Sequence, residues 1–284
     1  MERLTLKELL GVAKEGGLAA CERCPSSPRN TIRPAWGVSC LEHGIDWTSP
    51  TSAVSMWVFR DPANTTPEKT GKLCSVCNSR NPTDRSAQHI FALWRAGVAP
   101  DDEGQRYLDH HYFTNAAMHG SDIANLKEAL RCCTDVLWGQ IEALSPSVLI
   151  TGGGEAAESL YKIGLLKRRW HQFRNRLATG PYSEKAELPD HSVVQIFCTY
   201  HTSATAVNCS IAPLYRSNRD SIENLIAQGR DASPNPRAVD QFLTRFHDVG
   251  DANKKGNAEH RGMRVLLLHW LEIGEAIRQA HGRV

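Results

Sequence analysis

Apolar positions along this chain fall into short unbroken runs separated by longer stretches with a helical period. The clearest run lies in Ala53–Asn64 (AVSMWVFRDPAN), where the apolar segment breaks abruptly into Arg60-Asp61-Pro62. A run of this length, rich in Val and aromatics, suits a strand buried on both faces. Proline ends the ladder, because it brings no backbone N–H and fixes φ. Asp61 is therefore expected at the carboxyl mouth of a central strand, where open α/β sheets place their ligand crevice. Taken alone, the competing reading is an ordinary turn Asp. Three further runs read as strands. His111–Ala117 (HYFTNAA) ends at Asn115, Ser147–Thr151 runs into Gly152-Gly153-Gly154, and Val193–Thr199 delivers Tyr200-His201-Thr202-Ser203.

Between the runs the period lengthens. Leu4–Ala20 carries an apolar face through Leu6, Leu9, Leu10 and Val12-Ala13, and Ser86–Gly97 one through Ile90, Leu93 and Trp94. Ile123–Leu144 reads as one long helix with Leu126, Leu130, Cys133, Leu137 and Ile141 on one face, and Glu155–Leu166 as another. Strand and helix alternate, as in a parallel sheet with helices on both faces. Beyond Leu214 only helices follow. Arg219–Gln228 is the first, Gly229–Arg237 (GRDASPNPR) reads as a linker, and another helix starts at Ala238. A polar break at Gly250–Gly262 precedes a strongly amphipathic helix through Leu266, Trp270, Ile273 and Ile277. No internal repeat is present. The expected fold is α/β, a three-layer α/β/α sandwich on a four-stranded parallel central sheet over residues 1–214, with a helical C-terminal extension at 215–284.

Composition narrows the class. With 284 residues and 41% apolar content the chain can bury a full core, as one large domain or one domain with an appendage. No run of about 18 apolar residues exists, which argues against a membrane span. The opening MERLTLKELL lacks the features of a secretory signal, so a cytoplasmic location is expected. Nine cysteines in such a compartment point to metal ligands or core thiols before disulfides. Cys21 and Cys24 form a CxxC pair that can present both sulfurs to one metal. A redox CxxC would follow a strand, and here a helix precedes it. Cys40 and His43 offer the other half of a zinc site, and a second CxxC lies at Cys74 and Cys77. A net charge of +2 is too small to argue for a nucleic-acid partner, so local clustering has to carry that argument. Lys167, Arg168, Arg169, Arg174 and Arg176 interleave with Trp170, His171 and Phe173, which suits phosphate contacts plus stacking. A solvated basic helix face is the alternative.

Converging strand ends would bring Asp61, Asn115 and His201 to one crevice beside a glycine-rich turn. This set resembles the uracil-DNA glycosylase superfamily. Arg60-Asp61-Pro62-Ala63 is similar to its first motif, whose acid or amide prepares the hydrolytic water. Thr114-Asn115-Ala116-Ala117 resembles the strand end whose Asn reads the flipped base. His201-Thr202-Ser203 resembles the His-Pro-Ser motif that grips the base O2 and the flanking phosphate. The likeness runs from about Leu4 to Tyr215 and is greatest to the iron–sulfur branch. Cys133-Thr134-Asp135-Val136-Leu137-Trp138-Gly139-Gln140-Ile141 matches that branch's ligand-bearing helix with its Leu-x-x-Gln-Ile segment. The resemblance implies Cys21, Cys24 and Cys133 as cluster ligands. The position of the remaining cysteine is held by His119, with Cys40, Cys132 or a loop Cys as alternatives, and zinc as the competing metal. Other departures are Thr202 in place of the motif Pro, small residues (Ala204, Thr205, Ala206) at the wedge, and Cys74 near the place of the base-stacking aromatic.

The resemblance implies a monofunctional DNA glycosylase, since no lysine falls in the matched motifs. Asp61 would orient water and stabilise the sugar cation, and His201 would donate to the base oxygen that gains charge. Asn115, with a donor and an acceptor, suits reading a pyrimidine edge; its residue type alone fits a strand-end cap equally. Ser203 joins Lys167, Arg168, Arg169 and Arg174 as expected DNA contacts. Ala63, where uracil-strict relatives carry a bulky aromatic, leaves the pyrimidine C5 side open. With Cys74 and the added C-terminal helices, it directs the expectation to a 5-substituted pyrimidine such as a hypermodified cytosine of phage DNA, hence defence or repair. The expected cofactor is a 4Fe-4S cluster or zinc, the partner DNA, and the state monomeric. A catalytically inactive DNA reader on the same fold and a zinc-stabilised nucleic-acid-binding protein are the rival readings.

Overall fold

The computed structural model describes Thr5, Leu6, Leu9 and residues 51–60, 111–117, 123–201, 203, 206–246 and 254–281. The apolar run at the start becomes β1 (Ser55–Phe59), and all five of its residues are buried. It lies between two parallel neighbours, β2 (His111–Asn115) and β3 (Val148–Gly152). β5 (Val193–Thr199) runs parallel to β3, and β4 (Tyr182–Glu187) pairs antiparallel on its outer side, for the order β2-β1-β3-β5-β4. Among the described residues the sheet is thus mixed and has five strands, where four parallel ones were expected. β4 escaped notice because YSEKAE is polar and only half-buried on alternate residues, as an edge strand facing water can be.

Strand side chains alternate between two cores. Trp57, Phe59, Val148, Ile150 and Phe197 enter one, and Met56, Val58, Leu149, Ile196 and Cys198 enter the other. The second core is closed by α1 (Ile123–Cys132), α2 (Thr134–Leu144) and α3 (Gly154–Lys162), with Leu6 of the N-terminal helical turn. The single long helix expected over Ile123–Leu144 is broken at Cys133 (φ −92°, ψ 1°). There the Thr134 hydroxyl donates back to the Leu130 carbonyl (3.0 Å), a bond that competes with helix continuation. After α3 come a four-residue helix α4 (Trp170–Phe173) and a 3₁₀ segment (Arg174–Ala178), so the basic run is not one helix face.

The first core is closed by the C-terminal helices α5 (Ala212–Ala232), α6 (Pro236–Arg245) and α7 (Lys254–His281). Tyr215, Ile222, Phe242, Trp270 and Ile277 share it with Trp57 and Phe59 of the central strand. The division expected after residue 214 falls inside α5. The expected linker shrinks to the residues between Ala232 and Pro236, and helix α7 already begins at Lys254, within the expected polar break. Arg264 on α7 binds the Glu223 carboxylate on α5 through two nitrogens and donates to the Phe246 carbonyl. No helix among the described residues is long and apolar enough to cross a membrane.

Helix α7 reaches the chain just past His201 through a glycine. A Cβ on Gly262 would stand 2.5 Å from the carbonyl oxygen of Val207, in the π-helical turn Ala206–Ile211. Backbone cannot yield as a side-chain tip can. Gly262→Ala is therefore expected to cost about 1–3 kcal/mol, the usual penalty for overpacking, read by thermal or urea melts. Gly229→Ala, which meets only the Leu271 side chain at 2.8 Å, is the milder control.

Candidate active site

The strand order places a switch point between β1 and β3, since the connection from β1 leads to β2 on one side and that from β3 leads toward β5 on the other. Open α/β sheets bind ligands outside the carboxyl ends of such strands. Here those ends carry Arg60, Asn115, Gly152–Gly154 and Thr199–His201.

Asn115 is held from two sides. Its neighbour Ala116 donates to the Phe59 carbonyl (2.7 Å) and Ala117 to that of Arg60 (2.9 Å), so the chain leading to Asp61 runs alongside it. On the other side Gln140 of α2 accepts from the hydroxyls of Thr114 (2.8 Å) and Tyr112 (3.2 Å) and donates to the Val136 carbonyl. The Gln of the Leu-x-x-Gln-Ile segment thus pins β2 one residue before Asn115. Asn115 itself is 1% exposed, and among the described residues its Nδ2 has no hydrogen-bond partner. Leaving a buried amide donor unpaired costs about 1–3 kcal/mol, so such a group calls for an explanation, and a role in binding or catalysis is one.

His201 lies across Phe59 from this amide. The two rings meet edge to face with centroids 5.7 Å apart, and Phe59 is the register partner of Asn115. Gly152 makes room for the Phe59 ring, which a Cβ there would approach to 2.8 Å. Gly153, at φ +103° in the strand-to-helix turn, lets the backbone pass His201, whose Cβ would sit 3.4 Å from an added methyl. The Ser203 N–H donates to His201 Nδ1 (3.0 Å). In a neutral imidazole that leaves the proton on Nε2, so the ring presents an N–H donor there. The Ser203 hydroxyl oxygen accepts from Ala206 N–H (3.3 Å) and caps the π-helical turn, a bond that does not use the hydroxyl proton.

The basic segment is fastened to the same edge. Trp170 stands against Gly154 and meets Tyr200 edge to face at 5.9 Å, and the Tyr200 hydroxyl donates to the Arg174 carbonyl (3.1 Å). Burial pushes the Tyr200 phenol up to about 12, which keeps it a donor. Lys167, Arg168, Arg174 and Arg176 are exposed and take part in no ion pair among the described residues. Arg169 lies over the Tyr161 ring at 5.0 Å. Phe173 is fully buried and stacked on Tyr182 at 4.1 Å, so it belongs to the core and cannot stack on a nucleic acid.

The structure thus brings Asn115, His201, Ser203 and the basic segment to one edge. Cys133 is buried at the N-terminus of α2. Asp61, Ala63, Cys74, Cys21, Cys24 and His119 lie outside the described residues, and among the described ones no group of three His, Cys, Asp or Glu side chains is placed to hold a metal. The sequence placed the glycine-rich turn at the crevice but not Phe59 and Tyr200 as parts of the site, although both adjoin the motifs that located it. A cavity of about 450 Å³ among α5, α6 and α7, lined by Leu225, Val239 and Leu271, contains none of the expected site residues. No protein-family model matches the chain, and no curated protein matches it.

Proposed function

We propose that the chain is a DNA glycosylase on the three-layer α/β/α fold of the uracil-DNA glycosylase superfamily, hydrolysing the N-glycosidic bond of a pyrimidine-type base flipped out of DNA. The observation that carries the reading is the buried Asn115 amide N–H, unpartnered among the described residues, across Phe59 from a histidine whose Nε2 holds a donor. A base entering from the carboxyl edge supplies the acceptor that this amide lacks. Extrusion is required, because the glycosidic bond of a stacked base is out of reach. As the C1′–N bond breaks, positive charge builds on the sugar and negative charge on the departing base. His201 Nε2–H stabilises the base oxygen, and Asp61, following the Arg60 strand end, stabilises the sugar and orients the water whose oxygen adds to C1′. The free base and an abasic site result, with no covalent enzyme intermediate.

Ser203 and the exposed Lys167, Arg168 and Arg174 would take the flanking phosphates. Replacing Arg168 and Arg174 with alanine is expected to weaken binding equally across DNA sequences. The slope of log affinity against log salt should fall by about 2, one for each phosphate that is no longer neutralised. A fluorescence anisotropy titration at several salt concentrations measures it. Cys133, with Cys21, Cys24 and His119, would hold a 4Fe-4S cluster, zinc being the alternative. The buried thiol at a helix N-terminus suits a thiolate ligand, whose charge the helix dipole favours. Such a cluster would brace the fold next to α2. Visible absorbance and iron content separate it from zinc.

The substrate we favour is a 5-substituted pyrimidine, on the strength of Ala63 and Cys74. The test is incubation with DNAs bearing uracil, 5-substituted or glycosylated pyrimidines, with mass spectrometry of released bases and alkali cleavage of the strand. Release by the wild-type chain, lost in Asp61→Ala, is the expected result. An inactive reader would bind these DNAs, release nothing, and be indifferent to Asp61→Ala. Release of plain uracil alone would overturn the substrate assignment.

A further inference from the structure

A fully buried imidazole on the last helix joins the strand that carries His201 to the end of the basic segment. His269 Nε2 lies 2.8 Å from the Leu177 carbonyl oxygen, and Nδ1 lies 2.7 Å from the Thr199 hydroxyl. A carbonyl can only accept, so Nε2 carries the proton. Nδ1 of the neutral ring is then an acceptor, and Thr199 donates to it. The Nε2–H tautomer satisfies both contacts, whereas the Nδ1–H tautomer would keep the Thr199 contact and set Nε2 and the Leu177 carbonyl against each other as two acceptors.

Both partners matter for position. Thr199 ends β5 two residues before His201, and its own carbonyl accepts the Gly153 N–H at 2.9 Å. Leu177 lies in the 3₁₀ segment that continues the basic run. The Tyr200 ring, between Thr199 and His201, stands 6.0 Å from the His269 ring. A single side chain therefore fixes the end of β5 and the segment beside it.

We infer that His269 is a positioning residue: by clamping Thr199 and Leu177 it sets the direction in which His201 presents its Nε2–H. The clamp stands on geometry, and its functional meaning rests on the glycosylase reading. It also assigns a task to the C-terminal helices within the site, where sequence reasoning left them as an extension of unknown role.

The test uses Thr199→Val, which keeps the shape of the side chain and removes the hydroxyl, with Thr199→Ser as the rescuing variant. In the full chain with isotope-labelled histidine, ring-nitrogen NMR reports the tautomers directly. The wild type should show His269 with its proton on Nε2 and His201 likewise. In Thr199→Val the His201 signals should shift toward a mixture of tautomers, and Thr199→Ser should restore them. On a DNA from which the wild type releases a base, the single-turnover rate should fall about tenfold or more, with DNA affinity within about twofold, because slight misalignment of a donor suppresses chemistry more than binding.

Unchanged His201 signals and rate in a folded Thr199→Val would overturn the inference. So would a wild-type His269 protonated on Nδ1, a result that needs no variant to fold. Should no DNA lose a base to the wild type, the glycosylase reading fails, while the NMR comparison still decides whether His269 positions His201.

Discussion

Asn115→Leu is expected to abolish base release while leaving the protein as stable as the wild type or more so. The two side chains have the same number of heavy atoms and the same branching at Cγ, and the substitution removes a buried Nδ2 that pairs with nothing among the described residues. Relief of that unsatisfied donor is worth about 1 kcal/mol or more, or a few degrees in melting temperature for a chain of this size. Activity should move the opposite way. A base bound at the strand ends loses the donor that reads its edge, and removing one such donor typically costs about 10²–10³ in rate. Melting curves and single-turnover excision on the same preparation measure both sides. A large loss of stability would mean that the amide is an ordinary structural group, and the strongest support for the site would go with it. Opposite movement of stability and rate is what a residue kept for function does.

Acid should destabilise the protein through His269. Burial, opposed only by the Leu177 carbonyl, lowers this imidazole from its ordinary value near 6.5 to about 4. Between those values the unfolded chain binds a proton that the folded chain refuses. Stability is therefore complete above about pH 6.5 and falls as the pH drops toward 4, at about 1.4 kcal/mol per unit and about 3 kcal/mol in all. Glu223 acts in a lower window. Burial pushes its carboxyl up, but Arg264 and Tyr215 outweigh burial and hold it below the ordinary carboxylate value of 4.5, so its contribution is lost only as the pH falls further. Urea melts from pH 7.5 to pH 4.5 should thus show the histidine slope alone among these groups. His269→Gln, which does not titrate, should flatten it. An equal slope in that variant would place the acid sensitivity elsewhere.

The elements that could be read from sequence are those whose burial is visible in composition. β1 and β3 are apolar on both faces, and their runs give them away; β5 is nearly so. β4 offers no such run, because its residues face water or lie only half-covered along the sheet edge. The helix boundaries failed where tertiary packing overrode local signals. GRDASPNPR looks like a loop, yet α5 continues through Gly229 to Ala232, with Leu271 of α7 lying on the glycine. The polar stretch before residue 262 looks like a break, yet it is the first part of α7, where Gly262 marks a close helix approach. The site divides the same way. Asn115 and His201 were legible because one ends a strand and the other closely follows one, and strand ends converge. His269 was not, since 70 residues separate it from Thr199 and nothing in its local pattern sets it apart from other apolar-face positions.

Among the described residues, the face of the sheet that holds Trp57 and Phe59 is covered by helices from the last quarter of the chain. During synthesis, the central strand leaves the ribosome long before its cover does. Helix α7 reaches from Val207, just past His201, to the ring of His111 at the start of β2, where His281 meets it edge to face at 5.5 Å. Until that helix has emerged, Trp57 and Phe59 lack the described residues that cover them in the folded chain. Closure of this face by the described residues therefore waits for the last helix, as in chains whose long-range contacts form late.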